Sequence, residues 1–595
     1  MKKKILNAGV IAITLLLFTT SFSSGATFTA VASGNWSSTT TWGGSVPPLT
    51  IISDQVIISS GINVTMDNSV TLNGGLAMLN VEGTLSSASS GMLTVMAGSV
   101  TGAGAINVGS VVCQTAAIVS FTGSLTANTL TCNVLNLLVA ADIMVNQTLN
   151  MSSGVLNLQT GSSLDVGANA TIVISGGMIT LNGGTVGLSG SYNVSYIVGS
   201  AVAGVELSGS GLNNVAVNVG IGNTVTLSSD LTVSGTLTLT SGTLVLAGND
   251  LTLSGNLSAT AGATVSSTAS SNISISAATS LSGVLTFSSS GNVVNNFTVN
   301  IGSNGSVMLG SDIVIQGMLS LVSGHLNVGS YNAEIGASGS VTGESGSAYV
   351  ITGVTGSLSM HLTAGASAST TFPVGTSVHF CPAQILLNAG SASGEVFVGA
   401  ATDVYAQGTS GVDISMTQPL VDATWFIHSD IIANLNMNIR LMWAATAEVN
   451  AFNRTMAYIS HYMAGNWDVT ATASANIEAN GMYSLSRNNI TSLSPFAVFD
   501  QNTIPTAVEN EAADLISFNV YPNPAADFIN VKYPLSSLNS EPTYIEVVDI
   551  LGSRIYSARL TKVNTIIPVE RFLPGNYFIR VYNDNMSTVK KFIKM

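Results

Sequence analysis

The sequence predicts an all-β chain: a right-handed parallel β-helix, then a β-sandwich module, then a small C-terminal antiparallel β-sandwich. Three observations carry this. Apolar residues alternate with Ser, Thr and Asn at period two, as at Leu231, Val233, Leu237 and Leu239. Whole blocks recur: residues 213–246 align without a gap on residues 295–328, an offset of 82. Helix formers are scarce, with charged residues at only 7% while hydrophobic residues reach 46%. That balance also argues against disorder, which goes with low hydrophobicity. At 595 residues, several domains are expected.

The first element is a secretory signal over residues 1–26. Lys2, Lys3 and Lys4 form a basic start, residues 5–18 are mostly apolar, and Ser24 and Ala26 suit a cleavage site. The apolar run is short of the ~20 residues that a retained membrane anchor needs. The cleavage region has no Cys for lipidation, and no later stretch is long and apolar enough to span. No transmembrane segment is therefore expected after signal removal.

Residues 27–346 form the repeat-built β-helix. The pattern Asp230-Leu-Thr-Val-Ser-Gly-Thr-Leu-Thr-Leu-Thr-Ser-Gly returns at Asp312, and a third copy starts at Asp142. Short alternating strands separated by Gly235, Gly242 and Gly255 fit coils of ~20 residues, so one 82-residue unit holds roughly four. A row of β-sandwiches is the rival architecture, but the strands are short and the aromatics sparse for separate sandwich cores. Stacked coils would align like charges, whereas stacked Ser, Thr and Asn hydrogen-bond along the stack. Asp142, Asp230 and Asp312 recur at the same place, which suits a carboxylate accepting backbone N–H bonds at a turn. The opening, with Trp36, Trp42 and Val46-Pro47-Pro48, resembles the start of other bacterial surface β-helix proteins. It reads as a cap, with glycan stacking on Trp36 and Trp42 as the alternative.

Aromatics and the first Arg residues arrive in residues 347–501, where strand signals continue. Phe372-Pro373-Val374-Gly375-Thr376 and Ser494-Pro495-Phe496-Ala497-Val498 resemble a β-sandwich module that precedes sorting domains. Trp425, Trp443 and Trp467 lie in strand-like runs and are read as core. Residues 502–514, polar and acidic around Pro505, read as a linker.

Charge and residue placement narrow the chemistry. Residues 27–514 carry 23 acidic and 3 basic side chains; residues 515–595 carry 6 acidic and 9 basic. A chain with no Lys or Arg between Lys4 and Arg440 cannot neutralise phosphates, which excludes nucleic acid as a partner. It also offers no basic side chain for a polysaccharide lyase. The solenoid acids are spaced singly rather than as the carboxyl pair that a glycoside hydrolase needs. His325, His361, His379, His428 and His461 show no metal spacing, and no nucleophile elbow is present. No cofactor or metal is implied, and the balance leans away from an enzyme. Cys113, Cys132 and Cys381 are an odd number, so no complete disulfide framework is expected. Cys113 and Cys132 lie nineteen apart, a spacing that suits neighbouring coils; small apolar core residues are the preferred reading.

Residues 515–595 carry Tyr521-Pro522-Asn523-Pro524, then Val548-Asp549-Ile550-Leu551-Gly552, then Leu573-Pro574-Gly575-Asn576-Tyr577, and finally Lys590-Lys591. In order and spacing these resemble the C-terminal sorting domain of the Bacteroidetes type IX secretion system. The resemblance implies recognition by the secretion machinery, passage through the outer membrane, and removal of the domain. Surface lipopolysaccharide attachment or release then follows. Lys590, Lys591 and the last strand are the better candidates for direct recognition. The expected product is a secreted or cell-surface protein on the outer face of the outer membrane, an adhesin or structural surface protein meeting a glycan or host surface. The alternative is a secreted carbohydrate-binding or polysaccharide-degrading β-helix protein.

Overall fold

The computed structural model describes residues 25–478, 480–493, 495–503, 518–533, 543–550, 552–583 and 587–595. The core of the signal segment (1–24) and most of the linker (504–514) lie outside the described residues. The chain is nearly all β, 2% helical, with a parallel β-solenoid of about 15 turns and antiparallel sheets toward the C-terminus. It divides into two compact units. One holds residues up to 401 with 425–443 and 486–493; the other holds 402–424, 444–485 and 494–595.

In the first unit each solenoid coil is built from short strands that find partners in the next coil. Thr224–Thr226 pairs with Thr243–Val245, Leu231–Val233 with Leu251–Leu253, and Thr236–Ser241 with Asn256–Ala259, all parallel. The register partner of Leu231 is Leu251, and that of Leu251 is Ile273. Coils of this length make the 82-residue sequence repeat about four coils long. The period-two pattern decides which face is buried. Leu231, Val233, Leu237, Leu239, Leu244, Leu246, Leu251 and Leu253 are all at most 3% exposed, while the intervening Thr and Ser point outward. Corners need residues without a Cβ: one added to Gly255 would sit 1.9 Å from the Gly235 carbonyl oxygen, and Gly242 has φ +93°.

Residues 70–159 depart from the expected short strands. Met92–Gly102, Ala105–Phe121, Ser124–Val139 and Asp142–Gln159 run for 11, 17, 16 and 18 residues. Each runs through a bend as one continuous strand. Register shifts do the bending, as between Ala127 and Thr129 and between Cys132 and Asn133. A β-bulge bends a strand and leaves its flanks paired, and Gly98 (φ +103°) and Gly154 (φ +70°) lie within these strands.

Polar side chains bind coil to coil. Asn214 donates to Asn193 (2.7 Å), Ser241 to Asn218 (2.8 Å), and Thr243 and Thr264 share a bond of 2.8 Å. Asn272 is a node. It donates through its N–H and Nδ2 to Asp250 (2.9 and 2.8 Å), and its Oδ1 accepts from Asn295 and Asn296 of the following coil.

Both ends of the stack are closed. At the start Trp36 is fully buried and Trp42 is 6% exposed, with ring centroids 5.2 Å apart in an edge-to-face contact. At the other end Ser357–Leu362 pairs parallel with solenoid strand Asn332–Ile335 and antiparallel with Gly394–Ala401. One strand thus converts the parallel stack into an antiparallel sheet. Behind it Trp425 and Trp443 are fully buried, and Trp425 Nε1 donates to the Cys381 carbonyl at 2.8 Å.

In the second unit Tyr458, Trp467 and Phe499 join Val404, Ile414 and Leu420 in one cluster. The same unit ends in the small antiparallel sandwich. Its three-stranded sheet is Asn519–Tyr521, Phe528–Lys532 and Asn564–Pro568. Its four-stranded sheet is Arg554–Arg559, Tyr544–Val548, Gly575–Tyr582 and Ser587–Lys594. Between the sheets lie Phe518, Ile529, Val531, Ile545, Val547, Ile567, Tyr577, Ile579, Val581 and Phe592.

Two substitutions separate burial from surface in the solenoid. Leu237→Ala should cost about 2–5 kcal/mol in denaturant unfolding, because a filled interior position empties. Thr232→Ala, on the outer face of the adjoining strand, should change stability by no more than about 0.5 kcal/mol. Asn272→Ala should cost about 1–3 kcal/mol through the unpaired groups it leaves in two coils.

Candidate functional site

Three of the tail's four motifs meet at the C-terminal strand. Asn523 clasps it from both sides: its Oδ1 accepts the Ile593 N–H at 2.9 Å, and its Nδ2 donates to the Lys591 carbonyl at 3.3 Å. Ala525 continues the clasp, donating to the Ile593 carbonyl at 2.8 Å and accepting from the Met595 N–H at 2.9 Å. Pro522 and Pro524 flank Asn523 and both follow cis peptide bonds. At Gly552, φ +81° lets the chain reverse after Asp549, whose Oδ1 accepts the Ser553 N–H at 2.9 Å. Tyr577 is 6% exposed, stacks on Phe592 at 5.6 Å, and its hydroxyl donates to the Leu573 carbonyl at 2.8 Å. That bond fixes the turn containing Pro574 and Gly575.

These residues hold the sandwich together more than they present it. The exposed part is different: Leu573 is 78% exposed and Tyr521 is 44% exposed. In the last strand Lys590 pairs with Ile579 and Lys591 with Phe578 of strand Gly575–Tyr582. Lys591 is solvent-exposed, while the Lys590 ammonium sits 5.6 Å from the centre of the Phe518 ring. Residues 519–595 match the family of secretion system C-terminal sorting domains. The chain is a type IX secretion substrate. The sorting domain directs it to export and implies contact with the type IX machinery. No curated protein matches the chain.

Outside the sorting domain, the carboxylates of the solenoid serve its backbone. Asp142 accepts from the Ser163 N–H (3.1 Å) and hydroxyl (2.8 Å), Asp230 from the Asp250 N–H (2.9 Å), and Asp312 from the Asn332 N–H (2.8 Å). The recurring Asp is thus a staple between one coil and the next. Asp54 accepts the Ala26 N–H at 2.7 Å, and Asp67 accepts the Ser37 N–H and hydroxyl. The Ser37 hydroxyl holds the Asp67 carboxyl below its ordinary value. Glu206 is buried on a short 3₁₀ turn, Val205–Leu207, where its Oε1 accepts from the Tyr196 hydroxyl (2.7 Å) and the Gly204 N–H (2.8 Å). Burial, then the Glu206 charge, push the Tyr196 hydroxyl well up, so it remains a donor.

Trp36 and Trp42 leave no ring face for a sugar. Trp42 Nε1 donates to the Trp36 carbonyl at 2.8 Å, and Trp36 Nε1 to the Pro47 carbonyl at 3.3 Å. Glycan stacking on this pair gives way to the cap, because both rings are spent on closing the first coils.

The tertiary structure gathers one group of acids that looked solitary along the chain. Strands Ser357–Leu362 and Gly394–Ala401 set Ser359 opposite Phe397 and His361 opposite Glu395. The solenoid strand alongside sets Glu334 opposite Ser359. Asp430 Oδ1 accepts the Glu395 N–H at 2.8 Å, and His361 Nδ1 lies 3.9 Å from Glu395 Oε2. His428 stacks flat on Phe397, centroids 4.9 Å apart. Burial pushes the Glu395 carboxyl up; the neighbouring Ser359 hydroxyl opposes this without a regular hydrogen bond, and the Glu334 charge adds to the rise. Burial lowers His428. Among the described residues no group of three or more His, Cys, Asp or Glu side chains is arranged to hold a metal ion. No helix among them is long and apolar enough to cross a membrane.

Removing residues 515–595 should leave the protein in the periplasm, read by fractionation; unchanged surface or medium levels would contradict the sorting role. Asn523→Ala should destabilise the sorting domain by about 1–3 kcal/mol and reduce export in proportion to its unfolding. Glu395 gives a pH signature. Its folded-state affinity for a proton exceeds that of the unfolded chain, so its contribution to stability falls as pH rises above the ordinary 4.5. Glu395→Gln should flatten that part of the stability–pH curve, measured by denaturation between pH 4 and 7.

Proposed function

We propose that the exported protein works at the cell surface, on the outer face of the outer membrane, as an adhesin or structural surface protein. One observation carries this reading: the solenoid turns uncharged Ser, Thr and Asn outward while its acids accept bonds from neighbouring coils. A surface of hydroxyls and amides suits broad, weak contact with glycans or with a host or neighbouring surface. The sorting domain accounts for delivery; lipopolysaccharide attachment would account for retention and its absence for release. Removal of the sorting domain would take away nine of the fifteen Lys and Arg and leave a more acidic product.

A second reading is a carbohydrate-binding or polysaccharide-degrading protein, and one observation favours it. Glu395, its carboxyl raised by burial, stands with Glu334 and His361 beside the stacked Phe397–His428 pair. A carboxyl of raised proton affinity beside a second carboxylate fits the pattern of a general acid. The test is a glycan-binding panel and a polysaccharide-release assay on the secreted protein and on Glu395→Gln. Product release lost in the variant would overturn the adhesin reading. Binding without turnover in both would overturn the degradative one.

A further inference from the structure

The solenoid contains two thiols that no function described so far uses. Cys113 lies on strand Ala105–Phe121 and Cys132 on strand Ser124–Val139, and they are register partners in adjacent parallel coils. Both point into the interior, 3% and 0% exposed. A residue in this stack has one register partner in the coil before it and one in the coil after it. The sequence has three cysteines in all, and two of them occupy such a pair.

We propose that Cys113 and Cys132 are joined by a disulfide that locks two neighbouring coils in the exported protein. Paired strands lie about 4.8 Å apart. That falls within the ~4.4–6.8 Å Cα separation that a disulfide spans. In-register Cβ atoms on parallel strands sit about 1 Å farther apart than a relaxed bridge prefers, so the side chains must lean toward each other. Cys113 has room to do so. An apolar void of about 20 Å³ adjoins Cys113, lined also by Val95, Val111, Leu125 and Leu130.

Timing follows from burial. In the closed solenoid the Cys113 thiol is pushed up to about 12, so little thiolate is present to react. The bond therefore forms in the periplasm, before the coils close. An export substrate meets oxidising conditions there. One cysteine thiolate attacks the disulfide of a periplasmic thiol oxidant to give a mixed disulfide. The other thiolate then displaces the oxidant's second sulfur, forming the Cys113–Cys132 bond. The two thiols lose two protons and two electrons, and the oxidant's disulfide is reduced to a dithiol. The product staples a nineteen-residue segment and limits unfolding of the long-stranded part of the solenoid.

The experiment uses the full chain collected from the cell surface or medium, denatured in a thiol-reactive maleimide with and without prior reduction. Expected without reductant is one labelled thiol, Cys381; after reduction, all three cysteines of the chain. Non-reducing peptide mapping should recover a peptide linking Cys113 to Cys132. Cys113→Ser and Cys132→Ser should each raise the unreduced count to two. Because labelling is done on denatured protein, the counts do not depend on the variants folding. Three labelled thiols in the unreduced wild type, or a linked peptide containing Cys381, would overturn the proposal.

Discussion

Stacking identical backbones about 4.8 Å apart forces every side chain on one coil to face its counterpart on the next. The rest of the solenoid depends on that constraint. Charges on the outer face would meet like charges, and unpaired amides would lose their partners. The chain meets both demands with Asn, Ser and Thr ladders and with Asp side chains that accept an N–H from the neighbouring coil. Inside, the same constraint makes columns of Leu, Val and Ile, so each coil buries its neighbour's apolar face. Low charge is thus a consequence of the architecture.

A stack of this kind has open edges, and unpaired strand edges invite further pairing. The tryptophan pair covers the first coils. At the far end, strand Ser357–Leu362 accepts the solenoid on one side and an antiparallel strand on the other. That junction is also where Glu334 meets Glu395 and His361. Among the described residues, the unit brings separated acids and a histidine face to face at the place where its topology changes. A parallel stack repeats the same residues along each column; an antiparallel partner brings in residues from elsewhere in the chain.

The sorting domain solves a different problem. Its motifs are local in sequence and convergent in space. Asn523 reaches seventy residues along the chain to Ile593, and Tyr577 packs on Phe592. The conspicuous Pro, Gly and Asn residues shape the fold. Lys591 and Leu573 are left to face solvent, where a transport machine can touch them.

The sequence by itself determined the all-β class, the solenoid, the terminal sandwich and the export address. Each of these rests on periodicity, turn residues or linear motifs, which are written in consecutive positions. It also placed Asp142, Asp230 and Asp312 in backbone roles, although their partners proved to lie in the next coil and not in their own turn. Only the tertiary structure decided the long bent strands of residues 70–159, because a bulge keeps the chain paired through a bend and the residue pattern does not tell a bend from a strand end. It alone sealed Trp36 and Trp42 in the cap, since an alternating pattern cannot tell a covering ring from a presented one. And it alone brought Glu334, His361, Glu395 and Asp430 together, because their meeting depends on cross-strand register between segments far apart in the chain.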